Sequence, residues 1–297
     1  MPAGRWVLKN SVPINSSFVA RARRGPKMTA IHPGEAYAAQ LLAIIQAPGA
    51  EAKDQLLASC RPPLANQIWQ LPKLPSRPGR EDWLREGKPP RRRRGLQHPN
   101  SRAQFLHAIW HIEVSAIDLA VLCSLSGAGM PEDFHAEQLR IAREEAAHAA
   151  LVAARLEALG HPPGRDPVHF RLWEAACACR NLGEHLVVIP RFLEARGLDV
   201  NADLLPRILA YDEASHAVLN RIYQDEIGHV ASGTRWHHYW CTRQGLQAEE
   251  HFRQVIEEHA LLRHPSPAPL DHAGRRAAGF STQELDCLQP SAGGNAP

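Results

Sequence analysis

The 297-residue sequence predicts an all-α protein, a four-helix bundle with additional N-terminal and C-terminal helices. Three observations carry that reading. Apolar residues recur at three- and four-residue spacing over four long stretches, glycine- and proline-rich breaks separate those stretches, and convincing strand alternation is absent. Hydrophobic residues at 44% and charged residues at 22% are an ordinary globular balance, which excludes a disordered chain, collagen and a coiled coil.

Residues 1–33 read as a disordered tail, or as the product of a start site set upstream of Met28. They carry Arg5, Lys9, Arg21, Arg23, Arg24 and Lys27 with no acidic residue, which superficially resembles an organellar presequence. Residues 34–100 read as short helices followed by a Pro/Arg-rich connector. Tyr37, Leu41, Leu42, Ile44 and Ile45 form an apolar face, Pro48-Gly49 is a break, and Pro62 to Pro99 holds eight prolines with aromatic punctuation at Trp69 and Trp83. The run Arg91 to Arg94 can bind phosphates, but without interleaved aromatics a solvated linker is the better reading.

Residues 101–245 form the bundle. Its first helix, Ser101 to Leu125, carries Leu106, Ile109, Ile112, Ala116, Ile117 and Ala120 at helical spacing and stops at Ser126-Gly127-Ala128-Gly129. The second runs from Pro131 to Leu159 and stops at Gly160-His161-Pro162-Pro163-Gly164. The third begins near Asp166-Pro167 and reaches about Arg196, and the fourth covers Asp212 to about Arg243. Residues 246–297 read as an accessory helix, Leu246 to His264, and a loosely packed C-terminal tail.

The 34 basic and 31 acidic residues leave a net charge of +3, too little for a strong overall field toward nucleic acid or acidic membrane. The six cysteines include no CxxC pair, no apolar run approaches the roughly 20 residues of a membrane span, and the N-terminus lacks the apolar stretch of a secretory signal. A soluble cytoplasmic protein without a membrane is therefore expected. No phosphate loop, nucleophile elbow or dinucleotide fingerprint occurs. The departure from expectation is 17 histidines against 4 tyrosines.

Positions three apart share a helix face, so Glu-x-x-His aims a carboxylate and an imidazole at one point. Four such pairs occur: Glu132/His135, Glu145/His148, Glu213/His216 and Glu226/His229. The second and fourth are 81 positions apart, and stepping back 32 positions from Glu145 and Glu226 reaches Glu113 and Glu194. In an antiparallel hairpin, residues equidistant from the turn share a level. Glu113 and Glu145 are equidistant from Gly129, which lies in a turn already marked by composition. Glu194 and Glu226 are equidistant from Ala210, which requires residues 198–210 to continue the third helix after a kink at Gly197. These carboxylates lie in apolar stripes, and several in one core are costly without a neutralising cation. Glu132/His135 and Glu213/His216 fall on the opposite face at helix starts, where the helix dipole favours solvent-facing carboxylates.

One Glu from each of two helices and a Glu-x-x-His from each of two others is the ligand set of ferritin-like di-iron carboxylate proteins. Glu113, Glu145, His148, Glu194, Glu226 and His229 match it position by position. Because Pro190 removes a helical hydrogen bond one turn before Glu194, Glu184 is an open alternative for the third-helix ligand. The stretches His111-Ile-Glu113, Arg143-Glu-Glu-Ala-Ala-His148, Pro190-Arg-Phe-Leu-Glu-Ala-Arg-Gly-Leu-Asp199 and Asp225-Glu-Ile-Gly-His229 resemble the bacterial ferritin-like family known as domain of unknown function 455, over about residues 97–245. Ala273 to Leu285 is similar as well, and Leu193-Glu194-Ala195-Arg196 is similar to the third-helix motif of tRNA-modifying di-iron hydroxylases.

The resemblance implies two iron ions, with manganese as the alternative, and an O2-dependent oxygenase or hydroxylase acting on an organic substrate, by analogy a modified nucleoside in RNA. A ferroxidase or iron-handling protein is the runner-up, and a metal-stabilised interaction protein the third reading. Asp118, Glu144, Asp225 and Arg143 are candidates to orient ligand imidazoles. His107 and His111 are expected at the surface or behind the ligands, and Cys177 and Cys179 as buried mid-helix thiols. His237-His238, with Trp236, Tyr239 and Trp240, is expected to pack on the added C-terminal helix.

Overall fold

A computed structural model describes residues 32–289 apart from 64–66, 89–94 and 264–265; the basic tail and the run Arg91 to Arg94 lie outside the described residues. The protein is all-α: helices account for every regular element among the described residues, and the one isolated bridge joins Glu86 to Val168.

Helix α1 (Pro33–Gln46) and α2 (Gly49–Ser59) turn at Pro48-Gly49, where Gly49 takes a left-handed φ of 73°. Lys53 of α2 is fully buried and donates to the last carbonyls of α1, Ile44 (3.0 Å) and Ile45 (2.8 Å). The connector that follows is irregular and lies along the bundle. Its Trp69 donates to the carbonyl of Leu125 at 2.8 Å, occupying an acceptor that a helix end leaves open, while Trp83 stays exposed and stacks on Trp110.

Helix α3 (Pro99–Leu125) and α4 (Glu132–Ala158) form an antiparallel hairpin whose turn contains Gly129 at φ 78°. By length and composition α3 is apolar enough to cross a membrane, with a mean hydropathy of 1.6, yet 89% of that window is buried inside the protein. It is apolar because it is packed on nearly every side by α1, α4 and the third bundle helix.

The third bundle helix departs from expectation. Residues 166–170 are not helical, α5 (Arg171–Cys177) is short, and Ala178 to Asn181 break the chain. The core-spanning rod starts afresh at α6 (Leu182–Leu186), capped by the Asn181 side chain, passes through a π-helical segment (Val187–Glu194) and continues as α7 (Ala195–Leu209). The irregularity therefore sits at Pro190, and the helix runs unbroken through Gly197. Proline has no N–H for the i−4 carbonyl and its ring crowds that carbonyl, and the wider π turn accommodates both. The continuation to Leu209 is the one required by the equal spacing about Ala210.

Helix α8 (Glu213–Gln244) returns antiparallel, capped by Asp212 and stopped by Gly245 at φ 70°. Beyond it, α9 (Ala248–Glu258) packs onto the π segment, α10 (His272–Ala277) onto α7 and α8, and α11 (Thr282–Cys287) onto α9. The expected loose tail is instead locked down. Arg275 pairs with Asp199 at 2.8 Å and Glu284 with Arg191 at 2.6 Å, and all four side chains are at most 1% exposed. The Arg191 guanidinium also lies over the rings of Phe252 and Phe280. These partners are too far apart in sequence for composition to reveal them.

Candidate metal centre

Helix α3 carries Glu113, α4 carries Glu145 and His148, and α8 carries Glu226; each offers a donor atom within 4.8 Å of the others. His229, one turn beyond Glu226, points Nδ1 at the same spot, 2.9 Å from Glu145 Oε1 and 3.8 Å from Glu226 Oε2. His148 Nδ1 lies 3.3 Å from Glu113 Oε2 and 3.4 Å from Glu145 Oε2. Glu194, the last residue of the π segment, is partly buried and sits at the edge. It lines a cavity with His229 and is close enough to Glu145 and Glu113 to feel their charge. Glu184 is held elsewhere, by Arg180 at 2.6 Å and His259 at 3.0 Å.

Both imidazoles turn Nδ1 inward and Nε2 outward. His148 Nε2 meets Asp225 Oδ2 at 3.2 Å, and His229 Nε2 meets Glu144 Oε2 at 2.8 Å. A carboxylate on Nε2 keeps a proton there, so Nδ1 is the nitrogen whose proton an ion would displace, the arrangement found behind metal-bound histidines. Arg221 in turn holds Asp225 at 2.7 Å, and Arg140 holds Glu144.

The electrostatics are those of carboxylates crowded together out of water. Burial pushes the Glu113 carboxyl up to about 7 and Glu194 up to about 8, reinforced by neighbouring Glu145, and it drives Glu226 well above the usual range. Burial disfavours a charged His148, but the carboxylates of Glu113 and Glu145 beside its Nδ1 outweigh it and raise the imidazole to about 11. The hydrogen bond from His229 holds Glu144 down to about 2. Glu113 Oε2, Glu145 Oε1, Glu226 Oε2 and His229 Nδ1 are buried with no hydrogen-bond partner among the described residues. Each unpaired buried acceptor is costly, and a multivalent cation would satisfy them together. This buried Glu/His cluster can hold a metal ion.

Other expectations need correction. Glu144 and Asp225 stand behind the two imidazoles, but Asp118 pairs with Lys53 (2.8 Å) and Arg80 (2.7 Å), and Arg143 donates to the Leu57 carbonyl. His107 and His111 are buried and bond to the backbone at Gly164 and His169; burial holds the His111 imidazole down to about 3. His135 does not face solvent: it is buried and bonds to Ser124 Oγ at 2.9 Å. Cys177 is exposed and Cys179 partly so, because the expected helix ends there. His237 and Trp240 meet His251 of α9, whereas Trp236 turns toward Phe134 and Glu137 of α4.

The family model described as "Protein of unknown function (DUF455)" matches residues 39–286. The chain belongs to this family. An "Uncharacterized protein" of Haemophilus influenzae (strain ATCC 51907 / DSM 11121 / KW20 / Rd) is 36% identical to this DUF455 protein over 195 residues, covering 63% of this chain and 67% of the relative. No solved structure matches. The match spans all four bundle helices and the segment through α10.

Sequence reasoning passed over the residues that shape the space beside the cluster. Cys123, Gln138 and Gly233 line a cavity of about 10 Å³ with Glu194 and His229, room for one water-sized molecule. No motif marks them; they meet only where α3, α4, α8 and the π segment pack together.

Proposed function

We propose that this DUF455 protein is a ferritin-like non-haem di-iron carboxylate protein that acts as an O2-dependent oxygenase or hydroxylase on an organic substrate. One observation supports this above the rest: a buried set of carboxylates and imidazoles from separate helices in which Glu113 Oε2, Glu145 Oε1, Glu226 Oε2 and His229 Nδ1 lack hydrogen-bond partners among the described residues. Glu113, Glu145, Glu194 and Glu226 would hold the ions through carboxylate oxygens, and His148 and His229 through Nδ1. An oxygen-rich set with one imidazole per ion suits iron, or manganese, better than zinc. Bound iron supplies the reductive activation of O2.

The chain's own part is electrostatic and steric. Four carboxylates offset the charge of the ions, Asp225 and Glu144 fix the imidazole tautomers, and Ala120, Ile141 and Ile189 wall the adjoining cavity against bulk water. The small size of that cavity favours a second reading, a ferroxidase that needs room for O2 and iron but for no organic molecule.

Metal analysis with the absorption spectrum of the oxidised protein tests the class. Two irons per chain are expected; Glu145→Ala should abolish them and His148→Ala should leave one, while full two-iron occupancy in His148→Ala overturns the assignment. Oxygen consumption that depends on an added organic substrate supports the oxygenase, and Fe(II) oxidation without one supports the ferroxidase.

A further inference from the structure

Among the described residues, two further groups of metal-ligating side chains lie outside the buried cluster, His237/Cys241/His251 and Cys179/Glu184/His259. Hydrogen-bond logic separates them. Arg191, always a donor, lies 2.8 Å from His237 Nδ1, so that nitrogen must accept. The His237 proton is then on Nε2, the nitrogen that faces Cys241 Sγ at 3.4 Å and His251 Nδ1 at 2.9 Å. This group has no lone pair to offer an ion there, and the fully buried Arg191 charge opposes one.

The other group has the opposite character. Cys179 follows the α5 end, Glu184 lies in α6, and His259 is the C-cap of α9; their donor atoms lie within 4.8 Å of one another. Glu184 Oε2 and His259 Nε2 are 3.0 Å apart, near the roughly 3.4 Å between donors that share a tetrahedral ion at bond lengths of about 2.1 Å. The Arg180 guanidinium holds Glu184 Oε1 from behind at 2.6 Å, as outer-shell donors orient a carboxylate, while Oε2 also accepts from the Arg180 backbone N–H at 2.8 Å and keeps a lone pair for an ion. Arg180 is largely exposed and also paired with Glu258, so it can stay on Oε1 or swing to Glu258. Cys179 and His259 remain partly exposed, which leaves a path for an ion and a place for water.

We propose that Cys179 Sγ, Glu184 Oε2 and His259 Nε2 form a second metal site, for a thiophilic divalent cation of the zinc class, with water as the fourth ligand. The ion replaces the proton shared between His259 Nε2 and Glu184 Oε2, and that proton moves to Nδ1. Cys179 loses its thiol proton to solvent as the metal–sulfur bond forms. One thiolate, one carboxylate and one neutral imidazole balance a dication, so the bound site is neutral. It ties the end of α9 to the start of the third bundle helix, which leads into the π segment and Glu194. The site is independent of what the buried cluster binds.

Cobalt(II) tests this, because thiolate ligation gives a near-ultraviolet charge-transfer band that oxygen and nitrogen ligands do not. Titrating the full-length protein with Co2+ should produce that band at micromolar metal and bleach it on adding Zn2+. Cys179→Ser should remove the band, and His259→Gln should weaken Co2+ binding at least tenfold. Cys123→Ser, which alters a thiol lining the cavity beside the buried cluster, should leave the band unchanged, and circular dichroism verifies helicity in each variant. If Cys179→Ser does not fold, Zn2+ protection of Cys179 from alkylation, with exposed Cys177 still reacting, replaces it. A missing band, a band that survives Cys179→Ser, or one needing millimolar Co2+ overturns the proposal.

Discussion

Gly233 shows how a single position sets the spacing of the bundle. A Cβ there would stand 2.4 Å from Pro190 Cβ, so α8 can approach the π segment only because the side chain is absent. Gly233→Ala should cost about 1–3 kcal/mol by overpacking, read as a lower urea midpoint with unchanged slope. Lys53 is the opposite case, a charge the fold requires in its interior. Lys53→Met leaves Asp118 with Arg80 alone and should cost up to about 3–5 kcal/mol in the same assay. At this scale, Glu113, Glu145 and His148 were legible because spacing about Gly129 is a property of the sequence. The burial of His107 and His111 was not, because their partners are backbone groups of the loop near Gly164 and His169, which no periodicity places.

At the scale of elements, the start of α8 carries the clearest pH dependence. Asp212 accepts from Ser215 N at 2.9 Å and from Arg155 at 2.8 Å. Burial opposes its charge, but these partners win and hold its carboxyl below the usual range. A depressed folded-state pKa means the cap's contribution is present above the unfolded value, about 3.9, and is lost as pH falls through the folded one. Asp212→Ala should therefore cost at least about 1 kcal/mol near neutrality, and its difference from the parent protein should shrink in urea melts taken at progressively lower pH below 4. The third bundle helix is where sequence reading failed most. Periodicity counts in steps of 3.6, whereas Val187–Glu194 turns more widely, and the break at Ala178 to Asn181 carries neither Gly nor Pro. Two equal spacings still located its far end, since distance from a turn is insensitive to one wide turn.

For the whole molecule, the buried cluster makes stability conditional on what it binds. Carboxylates crowded in a low-dielectric core raise the free energy of the metal-free fold, and any ion that binds the folded chain alone stabilises it by linkage, about 2.7 kcal/mol at a concentration 100 times its Kd. Thermal unfolding should shift upward with added Fe(II) or Mn(II) under anaerobic conditions and return with a chelator. Glu145→Ala should abolish that response. The all-α class was legible from the apolar periodicity, while the locked C-terminal segment was not, because Arg191–Glu284 and Arg275–Asp199 bring together residues far apart in the chain.

The distribution of the cluster along the chain also sets an order of assembly. Its residues run from Glu113 to His229, and α8, the last bundle helix to leave the ribosome, supplies Glu226 and His229. A nascent chain that stops before α8 has Glu113, Glu145, His148 and Glu194 but lacks Glu226 and His229, so under the proposed function tight metal capture follows completion of the bundle.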